Sequence, residues 1–251
     1  MQGAASANVP PAAKPAAPPL FKSIPAPAAA KSTTVPLAAG LPAHRGTLVL
    51  INPDGSEGAT FALQSDKTTV GRDTGEPFTG DVYLSPVHAT FTFKGDKLFV
   101  TDDGSLNGVY IKLERQVSVS LDNGAIFRIG QEILRYEDLP APKQINGVEL
   151  MGSPNPGYLG RICAVIGPNA IGDAFAILPD GVHIGRERGD VTFPDDGYVS
   201  GLHCRVNKEG NQVLLTDVGS SNGTFLRIQG ERELHNGELI LMGQQLFCAR
   251  Y

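Results

Sequence analysis

The chain says nearly the same thing twice. "GTLVLINP" from Gly46 is answered by "GRICAVIGP" from Gly160, "TVGRD" from Thr69 by "HIGRE" from His183, and "SPVH" from Ser85 by "SGLH" from Ser200. Further along, "TDDGSLNG" from Thr101 matches "TDVGSSNG" from Thr216, and "DNGAIFRIGQEIL" from Asp122 matches "HNGELILMGQQLF" from His235. The offset between partners stays between 113 and 115 positions, so the chain holds a duplicated unit of about 90 residues. At 251 residues there is room for both copies to bury a core.

Each copy is a succession of short β-branched and aromatic runs, among them "TLVLI", "HATFTF", "KLFVT" and "VSVSL" in the first. Asp-Gly, Gly-Asp, Asn-Gly and Asn-Pro pairs separate them. No stretch between 46 and 136 carries the period of a substantial amphipathic helix. The pattern predicts an all-β chain of two sandwiches in tandem. The expected boundaries are a disordered Pro/Ala-rich linker over 1–45, domains over 46–137 and 159–251, and a Pro- and Gly-rich linker over 138–158.

Charge narrows the range of partners. Lys and Arg number 21 against 26 Asp and Glu, a formal net charge of −5. Four of the basic residues (Lys14, Lys22, Lys31 and Arg45) fall in residues 1–46, which hold no acid, leaving 17 basic against 26 acidic beyond, a net −9. A body this acidic repels nucleic acid, so any anion it binds is held by a few local cations. No apolar run approaches the roughly 20 residues of a membrane helix, and the start lacks a signal peptide's basic and apolar regions. The expectation is a cytoplasmic protein without membrane or nucleic-acid partners. Cys163, Cys204 and Cys248 lie far apart without metal-ligand spacing and are expected to be buried free thiols. No metal or cofactor is expected.

Ser200 three positions before His203, and Ser85 before His88, first suggest a hydrolase. On an extended segment that spacing puts the two side chains on opposite faces. No nucleophile elbow surrounds either serine, and there is no phosphate-binding loop or dinucleotide fingerprint. An enzyme is not expected.

A Gly-Arg pair, then Ser-x-x-His some dozen residues on, then Gly-Ser-x-Asn-Gly resembles the forkhead-associated (FHA) domain, once over about 47–136 and again over about 161–251. The resemblance implies eleven-stranded sandwiches whose loops at one end read phosphothreonine in a partner protein, downstream of a Ser/Thr kinase. It assigns phosphopeptide contacts to Arg186, Ser200, Ser221 and Asn222 in the second copy and to Arg72, Ser85 and Asn107 in the first. His88 and His203 would brace the loops, and Gly108 and Gly223 would allow the turns that present the asparagines. The side chains suit these roles, since a guanidinium forks onto phosphate oxygens and a hydroxyl donates to the same anion.

The copies differ. Ser221 precedes Asn222, whereas Leu106, which offers no donor, precedes Asn107. Pro86 and Gly201 stand where the family often carries a further phosphate-binding side chain after the loop serine; Arg188 and Arg205 are candidates to supply that charge in the second copy. The second copy is therefore the expected binder of a phosphothreonine protein, either a Ser/Thr kinase or its substrate. The alternative is a phosphate-independent scaffold or oligomerisation module. Thr33 and Thr34 also offer a kinase target within the chain.

Overall fold

The computed structural model describes residues 45–140, 143–149 and 151–251; apart from Arg45, the expected linker over 1–45 lies outside them, with Thr33 and Thr34. The chain is all-β. Its first nine strands are β1 (Gly46–Ile51), β2 (Glu57–Leu63), β3 (Lys67–Val70), β4 (Ala89–Lys94), β5 (Lys97–Asp102), β6 (Val109–Lys112), β7 (Ser118–Ser120), β8 (Ile126–Ile129) and β9 (Glu132–Glu137). The next ten are β10 (Gly160–Gly167), β11 (Ala170–Ile177), β12 (Val182–Gly185), β13 (Val191–Thr192), β14 (Cys204–Glu209), β15 (Gln212–Asp217), β16 (Thr224–Arg227), β17 (Glu231–Leu234), β18 (Leu239–Met242) and β19 (Gln245–Arg250). Among the described residues no helix is long and apolar enough to cross a membrane.

Period-two burial explains the strands. In β5, Leu98 and Val100 are fully buried while Lys97 is exposed, and in β8 Phe127 and Ile129 point inward on alternate positions. The central strand β19 buries Leu246, Phe247, Cys248 and Ala249 in a row, since both of its faces are covered. All three cysteines are buried and free.

Neighbouring hairpins pair within each copy, as β4 with β5 and β14 with β15 do, but other strands pair across the copies. β5 pairs with β17 of the second copy, Phe99 opposite Glu233, and β15 pairs with β7 of the first, Leu215 opposite Val119. β1 pairs with β19, and β10 with β9. The exchange passes through β6 and β16, which run antiparallel to each other with Leu226 opposite Ile111. β6 continues onto β18, and β16 onto β8, giving one ten-stranded sheet in the order β11-β10-β9-β8-β16-β6-β18-β19-β1-β2. Two smaller sheets, β13-β12-β14-β15-β7 and β17-β5-β4-β3, complete the two sandwiches.

The cores follow the exchange. Leu48, Phe78, Phe91 and Leu98 share one core with Leu234, Ile240, Met242 and Phe247 of the second copy. Ile162, Ile184, Cys204 and Leu215 share the other with Leu121, Phe127, Leu134 and Tyr136 of the first. A third cluster, Tyr110, Phe225, Leu241 and Leu246, is drawn from strands at the crossing. Salt bridges Lys97–Glu233 and Lys94–Glu231 join the copies on the surface.

The packing units are thus not the contiguous stretches 46–137 and 159–251, although these are the sequence repeats. The physical reason is that segments Leu113–Val117 and Ile228–Gly230 cross between sandwiches instead of turning back. Leu113 N donates to Thr224 O and Ile228 N to Val109 O, at 2.8 and 2.9 Å. With these crossings the described residues form nineteen strands, fewer than two eleven-stranded sandwiches would supply.

Candidate functional site

In the second repeat the loops after β12, before β14 and after β15 converge. Gly185 ends β12 pressed against the next loop: a Cβ there would lie 2.4 Å from the Gly201 carbonyl. Arg186 follows, and its amide donates to Ser200 O at 2.9 Å, which sets the arginine beside the loop serine. Ser200 N donates to His203 Nδ1 at 3.0 Å, and the opposite ring nitrogen Nε2 meets Gly223 O at 3.1 Å. His203 is completely buried. Burial pulls its pKa below the ordinary value, and the neutral ring, Nδ1 accepting and Nε2–H donating, satisfies both contacts. The accepting nitrogen faces the Ser200 amide and not its hydroxyl, so the pair is arranged as a strut between loops.

The Ser200 hydroxyl instead accepts the Ser221 amide at 2.9 Å, leaving its own hydrogen uncommitted among the described residues. Asn222 Nδ2 donates to Tyr198 O at 2.8 Å, while its Oδ1 is buried without a partner among the described residues. An unpaired buried acceptor costs free energy unless something donates to it. Gly223 allows the turn with φ of +95°, a conformation that side chains disfavour. Beneath the turn, Asp217 Oδ1 accepts the amides of Gly219 and Ser220, and Oδ2 accepts the hydroxyls of Ser220 and Thr224. Burial alone would raise Asp217; these hydrogen bonds outweigh it and hold the carboxyl below the usual range.

The first repeat reproduces the frame. Arg72 N donates to Ser85 O at 3.0 Å, Ser85 N to His88 Nδ1 at 3.1 Å, and His88 Nε2 meets Gly108 O at 3.1 Å. The Leu106 amide reaches Ser85 Oγ at 3.2 Å, and Asn107 Nδ2 donates to Tyr83 O at 2.8 Å. Gly108 has φ of +85°, matching Gly223. His88 is also fully buried and lowered by burial. The structure therefore brings Arg72, Ser85 and Asn107 to one end, and Arg186, Ser200, Ser221 and Asn222 to the other.

The rims diverge. Around the first end Val82, Val87 and Leu106 stand exposed, Leu106 to 71 %. Around the second, Gly197 and Ser221 occupy the positions of Val82 and Leu106. Arg186 Nε and Nη2 both donate to Glu187 Oε1, at 3.0 and 2.6 Å. Arg188 lies over Gly201: a Cβ on that glycine would come 3.6 Å from Arg188 Nη2. Arg205 donates instead to the Asp180 carbonyl.

Sequence reasoning missed Asp81 and Asp196, each two positions before the tyrosine whose carbonyl holds the loop asparagine. Asp196 Oδ1 accepts Tyr198 N, and Oδ2 accepts Gln131 N from the other repeat. Asp81 does the same with Tyr83 N and Gln244 N. The signal was present as Asp-x-Tyr-x-Ser and as Gly-Gln, each in both copies.

The FHA domain model matches residues 68–130 and again 182–243. Over 93 residues the chain is 37% identical to an oxoglutarate dehydrogenase inhibitor of Corynebacterium jeikeium, covering 37% of this chain and 64% of that protein. An oxoglutarate dehydrogenase inhibitor of Corynebacterium glutamicum is 34% identical over 112 residues, 43% of this chain and 78% of that one. The chain belongs to the FHA-domain family. A further relative, the glycogen accumulation regulator GarA of Mycolicibacterium smegmatis, is 36% identical over 105 residues, 41% of this chain and 65% of its own. The chain spans just under two thirds of the length of the C. jeikeium and M. smegmatis relatives. A solved structure from work on phosphothreonine-dependent FHA domain interactions aligns with 34% of this chain and 90% of its own, at 28% identity and a TM-score of 0.22.

Proposed function

We propose that this protein is a non-catalytic module that binds a phosphothreonine-containing partner, a Ser/Thr kinase or its substrate, through the second repeat's recognition end. The observation that carries this is Arg186 set beside Ser200 by its amide, together with an uncommitted Ser200 hydroxyl and an unpaired, buried Asn222 acceptor. The first two suit phosphate oxygens, and Asn222 Oδ1 suits a main-chain N–H of an extended peptide. Arg188, over Gly201, adds charge where no side chain projects from the loop. The Arg186–Glu187 pair does not oppose this reading. It is exposed, and such pairs contribute about 0–1 kcal/mol, whereas a charge-assisted bond to phosphate is worth about 1.5–3 kcal/mol. The names of the curated relatives, inhibitor and regulator, fit a protein that acts by binding.

A second reading applies to the first end. Exposed Val82, Val87 and Leu106 beside Arg72 favour a phosphate-independent contact there.

The test is calorimetric titration of the whole chain with a phosphothreonine peptide pool, beside phosphoserine and unphosphorylated pools. Binding confined to phosphothreonine and abolished by Arg186→Ala is expected. Equal binding of the unphosphorylated pool would refute the reading. The whole chain is required, because residues 158–251 alone lack the part of their core supplied by Leu121, Phe127 and Leu134.

A further inference from the structure

Each recognition loop is held by a guanidinium from the other repeat. Arg115, in the segment crossing out of the first repeat, donates through Nη2 to the Ser220 carbonyl at 2.7 Å. That carbonyl belongs to the peptide unit whose N–H is Ser221, and the Ser221 amide donates to Ser200 Oγ at 2.9 Å. One rigid peptide plane therefore lies between Arg115 and the hydroxyl placed to meet phosphate. The other end carries the same device. Arg227, from the second repeat, donates to the Ser105 carbonyl at 3.4 Å, and the Leu106 amide of that peptide unit reaches Ser85 Oγ at 3.2 Å. Ser105 and Ser220 are corresponding positions of the duplication.

Other contacts fix the same geometry. Gln116 N donates to Asp217 O at 2.8 Å, so the crossing segment runs beside the base of the turn. Gln131 N donates to Asp196 Oδ2 at 2.6 Å, and Asp196 holds Tyr198, whose carbonyl receives Asn222. The side chain of Lys112 lies against the turn: a Cβ on Gly223 would come 2.3 Å from Lys112 Cε. Both residues that frame the second site, Ser200 and Asn222, are thus positioned through residues of the first repeat.

We infer that ligand binding at the second recognition end depends in trans on the first repeat, with Arg115 as the positioning residue for Ser200. This rests on the phosphothreonine reading. A carbonyl bonded to a cation is polarised, which makes the N–H of the same peptide unit a stronger donor and holds Ser200 Oγ as its acceptor. The Ser200 hydrogen then points outward. Without Arg115 the peptide plane is free to rotate, and the hydroxyl loses its fixed direction. Two repeats joined only by a linker would carry no such dependence.

The experiment uses the whole chain carrying Ser85→Ala, which disables the first end, titrated with a phosphothreonine peptide. Arg115→Ala is expected to weaken binding roughly tenfold, the scale of one charged hydrogen bond, and Arg115→Lys to recover part of the loss. The Ser221 amide resonance, followed without ligand, is expected to move with Arg115→Ala and to return toward its original position with Arg115→Lys. Unchanged affinity and an unmoved Ser221 amide would overturn the dependence while leaving the phosphothreonine reading intact. A Ser85→Ala chain that binds the phosphorylated and unphosphorylated peptides alike would overturn that reading and the dependence with it. Should Arg115→Ala fail to fold, Arg115→Gln, which keeps a donor without the charge, takes its place with the same two readouts. If the Arg115→Ala loss appears only at the first end, tested in a Ser200→Ala chain, the assignment in trans is wrong.

Discussion

The Gln131 amide donates to Asp196 Oδ2 at 2.6 Å across 65 positions of sequence, joining a hairpin of the first repeat to the loop between β13 and β14 of the second. Gln244 and Asp81 make the reciprocal contact at 2.8 Å. Two loop ends and two cores are thereby shared between the repeats, and damage in one repeat is expected to reach the other.

Phe127 lies in the first repeat but is fully buried in the core of the second. Phe127→Ala is expected to cost about 3–5 kcal/mol by leaving a cavity. Hydrogen exchange locates the damage: amides of β12, β14 and β15 should exchange faster, with β4 and β5 much less affected. Faster exchange in β4 and β5 instead would place Phe127 in its own repeat's core.

Ser221 and Leu106 occupy equivalent positions. Loss of the Ser221 hydroxyl in Ser221→Ala is expected to weaken phosphothreonine binding by about 1.5–3 kcal/mol, on the order of ten- to a hundredfold. Leu106→Ser should raise the affinity of the first end for the same peptide. Titrations in Ser85→Ala and Ser200→Ala chains separate the two ends.

Asp217 accepts four hydrogen bonds while fully buried, whereas Asp102, its counterpart, receives Ser105 N and Arg227 and is partly exposed. Asparagine replaces one accepting oxygen with a donor that faces the Ser220 and Thr224 hydroxyls. Asp217→Asn should therefore destabilise the chain by several kcal/mol, and by more than Asp102→Asn. Urea denaturation compares them; equal losses would contradict this account.

His88 and His203 are held neutral by burial, below their ordinary value of 6.5. The unfolded chain then binds more protons than the folded one as pH falls below about 6.5. The stability these residues confer is complete above that pH and is lost as pH drops through the depressed folded values. The melting temperature should decline below pH 6.5, and imidazole nitrogen shifts should show His203 losing its neutral Nε2–H form at a lower pH than an exposed histidine does. A folded-state His203 that is protonated at pH 6.5 or above would be inconsistent with the strut.

Much of the fold was readable because the duplication is dense: short strands, turn pairs and alternating apolar positions each repeat at an offset of 113 to 115 positions. The frame of loop contacts was readable for a similar reason, since Ser-x-x-His and Asn-Gly are local motifs and both copies carry them. The strand exchange was not. Gly-Gln at 130–131 and 243–244, and Asp-x-Tyr-x-Ser at 81–85 and 196–200, are interchangeable partners, so either pairing satisfies the same hydrogen bonds. The choice between them lies in whether Leu113–Val117 crosses or turns back, and no periodicity records that. Arg115 escaped notice on the same ground: its counterpart is Gly230, so the repeat gives it no echo.

The most direct measurement is a cysteine pair across β5 and β17. Phe99 and Glu233 are opposed in the ladder, close enough for a disulfide after substitution of both by cysteine. Oxidation of the monomeric chain, followed by peptide mapping, is predicted to yield a 99–233 crosslink. A chain whose repeats pair within themselves would instead place position 233 against Leu214. A 214–233 crosslink in the Leu214→Cys, Glu233→Cys chain, with none between 99 and 233, would contradict the exchange.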